Sequence, residues 1–280
     1  MKTLNIIGAG KVGKVLAKNF QRHQQFVIQQ VLNRSLSSAS DAVAWLGAGQ
    51  ATAAISELQP ADVTMLTASD DQITNVCRQL ADAGLLKTGS VIFHCSGAKA
   101  SSELQAARQA GAAVASVHPV RSFANVELLA EQFAGTICSL EGDEAALALL
   151  VPALQLIGAE TVIINAENKL LYHAGSVFAS NYLVTLMEMA LRTYQAAGIP
   201  ADIAQKMAAP LVRQTLENVF ALGTQAALTG PIARGDMQTV ALQQKKLSDW
   251  DLQAGDLYQA FTQPTMDLAA ARIASPHSEK

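Results

Sequence analysis

The chain has 280 residues, half of them hydrophobic and 15% charged, with a formal net charge of −3. That length allows one or two domains with a sizeable core. The balanced charge, with no basic patch interleaved with aromatics, argues against nucleic acid as a partner. The most apolar stretch, 145–164, holds Pro152, Gln155, Gly158 and Glu160. It therefore reads as a buried helix and strand, not as a membrane span.

The first thirteen residues organise the rest. Leu4, Ile6 and Ile7 form a short β-prone run that stops at Gly8, and a helical pattern begins at Lys11, with Val12, Val15, Leu16 and Phe20 on one face. Gly8, Gly10 and Gly13 fall in the G-x-G-x-x-G spacing between strand and helix. Gly8 permits the tight turn, Gly10 lets a pyrophosphate reach the backbone, and Gly13 lets the helix close on the strand. The helix N-terminus offers free N–H groups to phosphates. Gly8, Ala9, Gly10, Lys11, Val12 and Gly13 are thus the candidate pyrophosphate loop; the plainer alternative is a glycine-rich strand–helix turn.

A second strand is expected over 26–32 and ends in Asn33-Arg34-Ser35, twenty positions after Gly13. NAD-binding folds place an acid here to hold the ribose hydroxyl. No acid is present. Asn33 and Ser35 can donate to a 2′-phosphate and Arg34 can pair with it, which points to NADP(H); a solvated loop is the alternative.

Helical signals over 38–46 precede strands near 51–55 and 61–67. Ala68-Ser69-Asp70-Asp71 then turns into a helix over 72–83. Asp70 reads most simply as an N-cap, yet the loop follows a strand end, where α/β sheets bind ligands, so Ser69 and Asp70 are placed near ribose and nicotinamide. The next strand, 89–95, leads into His94-Cys95-Ser96-Gly97-Ala98, with Ser96 and Gly97 bordering the nicotinamide. A helix is expected over 101–110, then a strand over 112–117 ending in His118-Pro119, strands at 135–140 and 160–164, and a helix over 143–157. This alternation implies an α/β fold: a doubly wound, mostly parallel sheet.

After Asn165 strand-like runs cease. Helices are expected over 168–197, over 201–221 with a bend near Pro210, and over 239–247 and 251–273, before a polar tail expected to fray after Ser275. The division expected is 1–164 for the nucleotide-binding domain and 165–280 for a helical substrate and dimerisation domain. The Ala- and Leu-rich helices of the second half leave more apolar surface than a short bundle hides, which suggests a homodimer. Cys77, Cys95 and Cys138 lack metal spacing and read as reduced core thiols. The chain opens on a strand without a leader-like pattern, so a cytoplasmic protein is expected, with no metal and no membrane partner.

Along the helix from Asn168, Lys169, His173, Ser176 and Ser180 are spaced four, three and four apart. At about 100° per residue they share roughly a 60° sector. A polar line on an apolar helix needs water or a ligand. Lys169 and His173 at i and i+4 can donate to, and exchange protons with, a carbonyl or imine. The alternative leaves Lys169 in solvent and His173 as a satisfied core histidine. Farther on, 227–236 packs Thr229, Gly230, Pro231, Arg234, Gly235 and Asp236 into a tight loop that suits an anion or carbonyl, or else an Arg234–Asp236 salt bridge.

Taken in order, Gly8 to Gly13, His94 to Ala98, His118-Pro119 with Phe123, Glu141-Gly142-Asp143, Tyr172-His173-Ala174 with Ser180-Asn181, and Leu228 to Pro231 with Arg234-Gly235-Asp236 resemble Rossmann-like proteins carrying a C-terminal DUF2520-type domain. That family is similar in architecture to pyrroline-5-carboxylate reductase and the F420-dependent NADP oxidoreductases, and more distantly to the 6-phosphogluconate and β-hydroxyacid dehydrogenases. The resemblance implies an N-terminal NADP domain, an all-helical C-terminal domain of the 6-phosphogluconate dehydrogenase type that builds a homodimer, and an active site in the cleft between domains. In β-hydroxyacid dehydrogenases a Lys precedes an Asn by four residues on the first long helix. Lys169 matches the Lys and His173 replaces the Asn, which counts against a 3-hydroxyacid substrate. Thr229 lies in a stretch comparable to the Thr-bearing loop of pyrroline-5-carboxylate reductase.

The expectation is an NADP(H)-dependent oxidoreductase acting on a small carbonyl or hydroxyl compound. His173 is the candidate general acid or base and Lys169 the group that polarises the substrate oxygen. Ser180, Asn181, Thr229 and Arg234 are the candidate substrate-binding residues. The alternatives are an imine reductase of the pyrroline-5-carboxylate type and a non-catalytic NADP-binding sensor or scaffold.

Overall fold

A computed structural model describes the backbone of residues 1–274 and the side chains of residues 1–271. The polar tail from Ser275 lies outside the described residues. Contacts divide the chain into two compact units, 1–180 and 181–280.

The first unit alternates strand and helix. Its elements are β1 (Lys2–Ile7), α1 (Lys11–Arg22), β2 (Phe26–Leu32), α2 (Leu36–Leu46), β3 (Gln50–Thr52), β4 (Val63–Leu66), α3 (Ile73–Asp82), β5 (Val91–His94), α4 (Gln105–Gln109), β6 (Ala113–Pro119), α5 (Val126–Glu131), β7 (Ile137–Gly142), α6 (Glu144–Leu156), β8 (Glu160–Ile163) and α7 (Lys169–Ser176). The strands form one sheet in the order β3-β2-β1-β4-β5-β6-β7-β8. All neighbours are parallel except β6 and β7, which run antiparallel. The order reverses between β1 and β4, the switch point at which open α/β sheets bind ligands beyond the strand carboxyl ends.

Two-residue periodicity builds a core on each face of the sheet. Leu4, Ile6, Val63, Met65, Val91, Phe93, Ala115 and Val117 meet α1, α2, α5 and α6 on one side. Ile7, Leu66, Ile92 and Val114 meet Ile73, Cys77, Leu80, Leu104 and Ala107 on the other. The long excursion between β6 and β7 carries α5 back over α1, where Arg22 Nη1 donates to the Ala130 carbonyl at 2.8 Å.

Local chemistry explains most element ends. Ser35 caps α2 by accepting from the Ser38 N–H, and the helix stops at Gly47 in the left-handed conformation (φ 74°). Asn125 caps α5 by accepting from the Leu128 N–H. The sequence pattern did not reveal α5, whose six residues are too few to show a period. The helix expected over 101–110 is a 3₁₀ turn, Ser101–Leu104, followed by α4. The helix α7, grouped by sequence pattern with the later helices, falls in the sheet-bearing unit because its side chains bond to β6 and β7.

After α7 the chain passes through a π-helical segment, Val177–Asn181. The second unit then holds α8 (Tyr182–Ala196), α9 (Ala201–Leu222), α10 (Thr224–Ala227), α11 (Met237–Trp250) and α12 (Leu252–Ala274). Pro210 lies inside α9 without ending it. Arg192 pairs with Asp251 at 2.6 Å and its guanidinium lies 5.6 Å from the Trp250 ring centre. No helix among the described residues is long and apolar enough to cross a membrane.

Phe93 sits in the centre of the sheet with no exposed surface. Phe93→Ala should lower the unfolding free energy by about 3–5 kcal/mol. Urea unfolding followed by circular dichroism measures the loss, and a change under about 1 kcal/mol would mean that this core layer is not packed as described.

Candidate functional site

The glycine loop is built by sterics. Gly8 follows β1 at φ 88°, and a Cβ there would lie 2.7 Å from the Ala68 nitrogen. Its N–H donates to the Leu32 carbonyl at 2.8 Å, and its carbonyl accepts from Thr67 Oγ1 at 2.7 Å. A Cβ on Gly13 would collide with Thr67 Oγ1, so α1 can approach β4 only with glycine there. Gly10 differs: the nearest atom to a Cβ there is 3.9 Å away. No side chain caps α1 at Gly10. Open space thus faces an uncapped helix N-terminus at the switch point, which fits a phosphate group. Lys11 is exposed beside it and reaches the Ala124 carbonyl at 3.4 Å.

Asn33 braces this loop. Its Oδ1 accepts from the Ala9 N–H at 2.7 Å, and its Nδ2 donates to the Ser38 carbonyl and Oγ at 2.9 and 3.0 Å. Both ends of the amide are therefore committed to the fold, and so is the Ser35 hydroxyl, which caps α2. Of the trio, Arg34 presents an exposed charge.

Asp70 is not the helix N-cap that the sequence suggests. It begins a 3₁₀ turn, Asp70–Gln72, and its carboxylate accepts from Ser96 Oγ at 2.6 Å. Ser69 stands at the cap position without a capping bond. Ser96 Oγ in turn accepts from the Ala98 and Lys99 N–H groups at 3.2 and 3.0 Å. This bond ties the loops after β4 and β5 together at the carboxyl edge of the sheet. Beneath it lies His94, fully buried, its Nδ1 accepting from the Ser96 N–H at 3.2 Å and its Nε2 donating to the Ala100 carbonyl at 3.1 Å. Burial holds its pKa down to about 4, against the opposing pull of the Ala100 carbonyl.

The antiparallel register of β6 and β7 sets Ser116 beside Glu141 and His118 beside Ser139, two residues apart. Lys169 and Tyr172, one turn apart on α7, meet these two pairs. Lys169 is 1% exposed; its ammonium bonds Ser116 Oγ and pairs with Glu141 at 3.6 Å. Glu141 also accepts from the Ser101 N–H and hydroxyl, both at 2.7 Å. Burial lowers the Lys169 pKa, and the Glu141 charge opposes that shift. Lys169 was expected either to polarise a substrate oxygen or to lie in solvent. It is buried against Glu141 and Ser116, which excludes the solvent alternative. A charge placed so deep needs this acid, because desolvation of a lone ammonium costs several kcal/mol.

Tyr172 Oη lies 2.7 Å from His118 Nδ1 and accepts from Ser139 Oγ at 2.8 Å. Burial raises the Tyr172 pKa, and its bonds with Ser139 and Ser176 oppose the rise. His118 is held down to about 4, chiefly by burial and then by the neighbouring His173 and Lys169. The His118 and His173 rings meet edge to face, with centroids 5.5 Å apart. A Cβ on Gly97 would strike His173 Nδ1 and lie 2.8 Å from His118 Nε2, so this glycine makes room for both imidazoles. His173 Nδ1 is buried without a hydrogen-bond partner.

The expected polar line on α7 holds from Lys169 through His173 to Ser176. Ser180 lies in the π-helical segment and is exposed. Asn181, Thr229 and Arg234 belong to the second unit and are exposed. Thr229 borders a pocket of about 300 Å³ with Tyr258 and Phe261. Asp236 caps α11 by accepting from the Thr239 N–H at 3.1 Å, in place of an ion pair with Arg234. Among the described residues, no three candidate metal ligands come together.

Sequence reasoning missed Glu141, Ser116, Ser139 and Tyr172 as site members. The available signal was an acid inside the apolar run of β7, followed by Gly142 at φ 147°, where a Cβ would strike the Val114 carbonyl.

Residues 2–119 match the Rossmann-like domain and residues 136–265 match DUF2520, a domain of unknown function. No curated protein matches the sequence significantly. Among solved structures, a protein from Thermotoga maritima is 24% identical and superposes with a TM-score of 0.74, covering 96% of this chain and 99% of that one. An imine reductase from Myxococcus stipitatus, in complex with NADP+, is 17% identical with a TM-score of 0.65, covering 96% and 94%. A pyrroline-5-carboxylate reductase from Coxiella burnetii is 15% identical with a TM-score of 0.58, covering 95% and 98%. Identities this low establish a shared fold.

His94 and His118 both have folded pKa values below the ordinary 6.5, so the unfolded chain takes up protons first. Their contribution is complete above about pH 6.5 and shrinks as pH falls toward 4. Between pH 7 and 4.5 each should cost about 2–3 kcal/mol of stability. Urea unfolding of wild type and His94→Gln across this range should show a shallower pH slope in the variant; parallel curves would contradict the assignment.

Proposed function

We propose, for a chain that joins a Rossmann-like domain to a DUF2520 domain, that this protein is an NADP(H)-dependent oxidoreductase acting on a small carbonyl or hydroxyl compound. The observation that carries the reading is the open, uncapped helix start at Gly10, held at the sheet's switch point by Gly8, Gly13 and Asn33. The backbone from Gly8 to Gly13 holds the pyrophosphate and the N-terminus of α1 its charge. Arg34 takes the 2′-phosphate, while Asn33 and Ser35 fix the loop that presents it. Ser69, Asp70, Ser96 and Gly97 border the ribose and nicotinamide. When bound, NADPH supplies a hydride; His173 supplies or removes the proton. Lys169, in contact with Glu141 and Ser116, supports α7 beneath His173. Ser180, Asn181, Thr229 and Arg234 orient the substrate.

An imine substrate is the second reading, favoured by the imine and pyrroline-5-carboxylate reductases among the structural neighbours. The apolar side chains of Val184, Leu211, Phe220 and Leu222, all more than half exposed, support a homodimer that covers them. The free thiols of Cys77, Cys95 and Cys138 support a cytoplasmic setting.

Ligand linkage tests the cofactor. NADPH at about 100 times its Kd should stabilise the protein by about 2.7 kcal/mol, and NADH at the same concentration by less. Arg34→Ala should narrow the difference. Equal thermal shifts from the two nucleotides would defeat the 2′-phosphate assignment. A turnover screen of small oxo-acids and cyclic imines with NADPH then tests the chemistry, and His173→Ala should lower kcat by about 10²–10⁴-fold. Binding of NADPH without turnover of any such compound would turn the reading to a redox sensor.

A further inference from the structure

A buried imidazole nitrogen without a partner is uncommon in a folded protein, and His173 Nδ1 is one. Its surroundings identify the missing partner. The Tyr172 oxygen accepts from Ser139 and bonds Ser176, so its single hydrogen is directed to His118 Nδ1, 2.7 Å away. A neutral His118 that accepts at Nδ1 carries its hydrogen on Nε2. That atom and His173 Nδ1 both lie within 2.8 Å of the point where a Gly97 Cβ would stand. Glycine leaves the point empty, so the two nitrogens lie at most 5.2 Å apart with no side chain between them.

We propose that Tyr172, His118 and His173 form a relay in which the His118 Nε2–H donates to His173 Nδ1, fixing the His173 hydrogen on Nε2, the nitrogen that serves the substrate. His173 is then the catalytic residue, and His118 and Tyr172 are positioning residues that also recharge it. The proposal rests on the oxidoreductase reading for its chemical step but not for its geometry. As hydride reaches the carbonyl carbon, the C=O electron pair moves to oxygen, which takes the proton from His173 Nε2. The His118 Nε2 proton passes to His173 Nδ1, and the Tyr172 hydroxyl proton passes to His118 Nδ1. Both imidazoles end neutral. The Tyr172 phenolate, bonded by Ser139 and Ser176, recovers its proton when water protonates His173 Nε2 and the transfers run back along the chain. In the oxidation direction every transfer reverses. Gly97 is required because any side chain there would wedge the rings apart.

Nitrogen-15 spectra of the histidine rings in the full-length protein test the geometry without any turnover. Wild-type His173 should be a single neutral tautomer with hydrogen on Nε2. Tyr172→Phe, which keeps the ring, and His118→Asn should each produce a mixture of tautomers. An unchanged His173 tautomer in both variants would overturn the relay, whatever the enzyme does. In turnover, Tyr172→Phe should lower kcat about 10–100-fold, by analogy with residues that orient a catalytic group, while KM and NADPH affinity change less than about twofold. An unaltered kcat in a variant that still binds NADPH would also overturn it. Absence of turnover in the wild type would instead remove the oxidoreductase reading and leave the tautomer result to decide the relay.

Discussion

One ion pair, closed off from water, fixes the geometry of the candidate site. Lys169 and Glu141 have almost no exposed surface, with Ser116 bonding the ammonium and Ser101 donating twice to the carboxylate. Such a pair adds little net stability, because desolvating both ions offsets their attraction. Its effect is positional: it pins the first turn of α7 to β6 and β7. Tyr172 and His173 follow three and four residues later, so the same anchor sets where the phenol and the imidazole stand. Removing only one partner would strand a charge in the core at a cost of about 3–5 kcal/mol.

The antiparallel turn of β7 makes the anchor possible. Its register against β6 places Ser116 with Glu141 and His118 with Ser139, on alternate residues of one face. Lys169 and Tyr172, one helical turn apart, then reach one pair each. The glycine loop after β1 and the Asp70–Ser96 bridge stand at the carboxyl ends of the parallel strands. The polar chemistry of the first unit thus collects on one edge of the sheet, while the two apolar faces are taken up by packing.

Much of this could be read from the sequence because it is encoded locally. The glycine spacing, the alternating apolar runs and the shift to helices after Asn165 specify a doubly wound sheet and a helical second half, each with a short-range steric or periodic cause. The lining of His173 is not local. Tyr172 sits beside His173 without a role that spacing reveals, and its partners His118 and Ser139 come from strands 54 and 33 residues earlier. Lys169 had the spacing, but nothing in its own helix announces its partner Glu141. Asp70 and Asn33 show the same limit, since a side chain that could cap a helix or hold a phosphate was taken by a distant backbone or hydroxyl group. The π-helical segment around Ser180 was hidden for a different reason: periodicity assumes an unbroken α-helix.

The fold of α5 back over α1 has a consequence during synthesis. Arg22 finds the Ala130 carbonyl 108 residues later. At about 5–20 residues per second the ribosome needs roughly 5–20 s to supply it. For that interval the first helix of the nascent chain lacks part of its apolar cover.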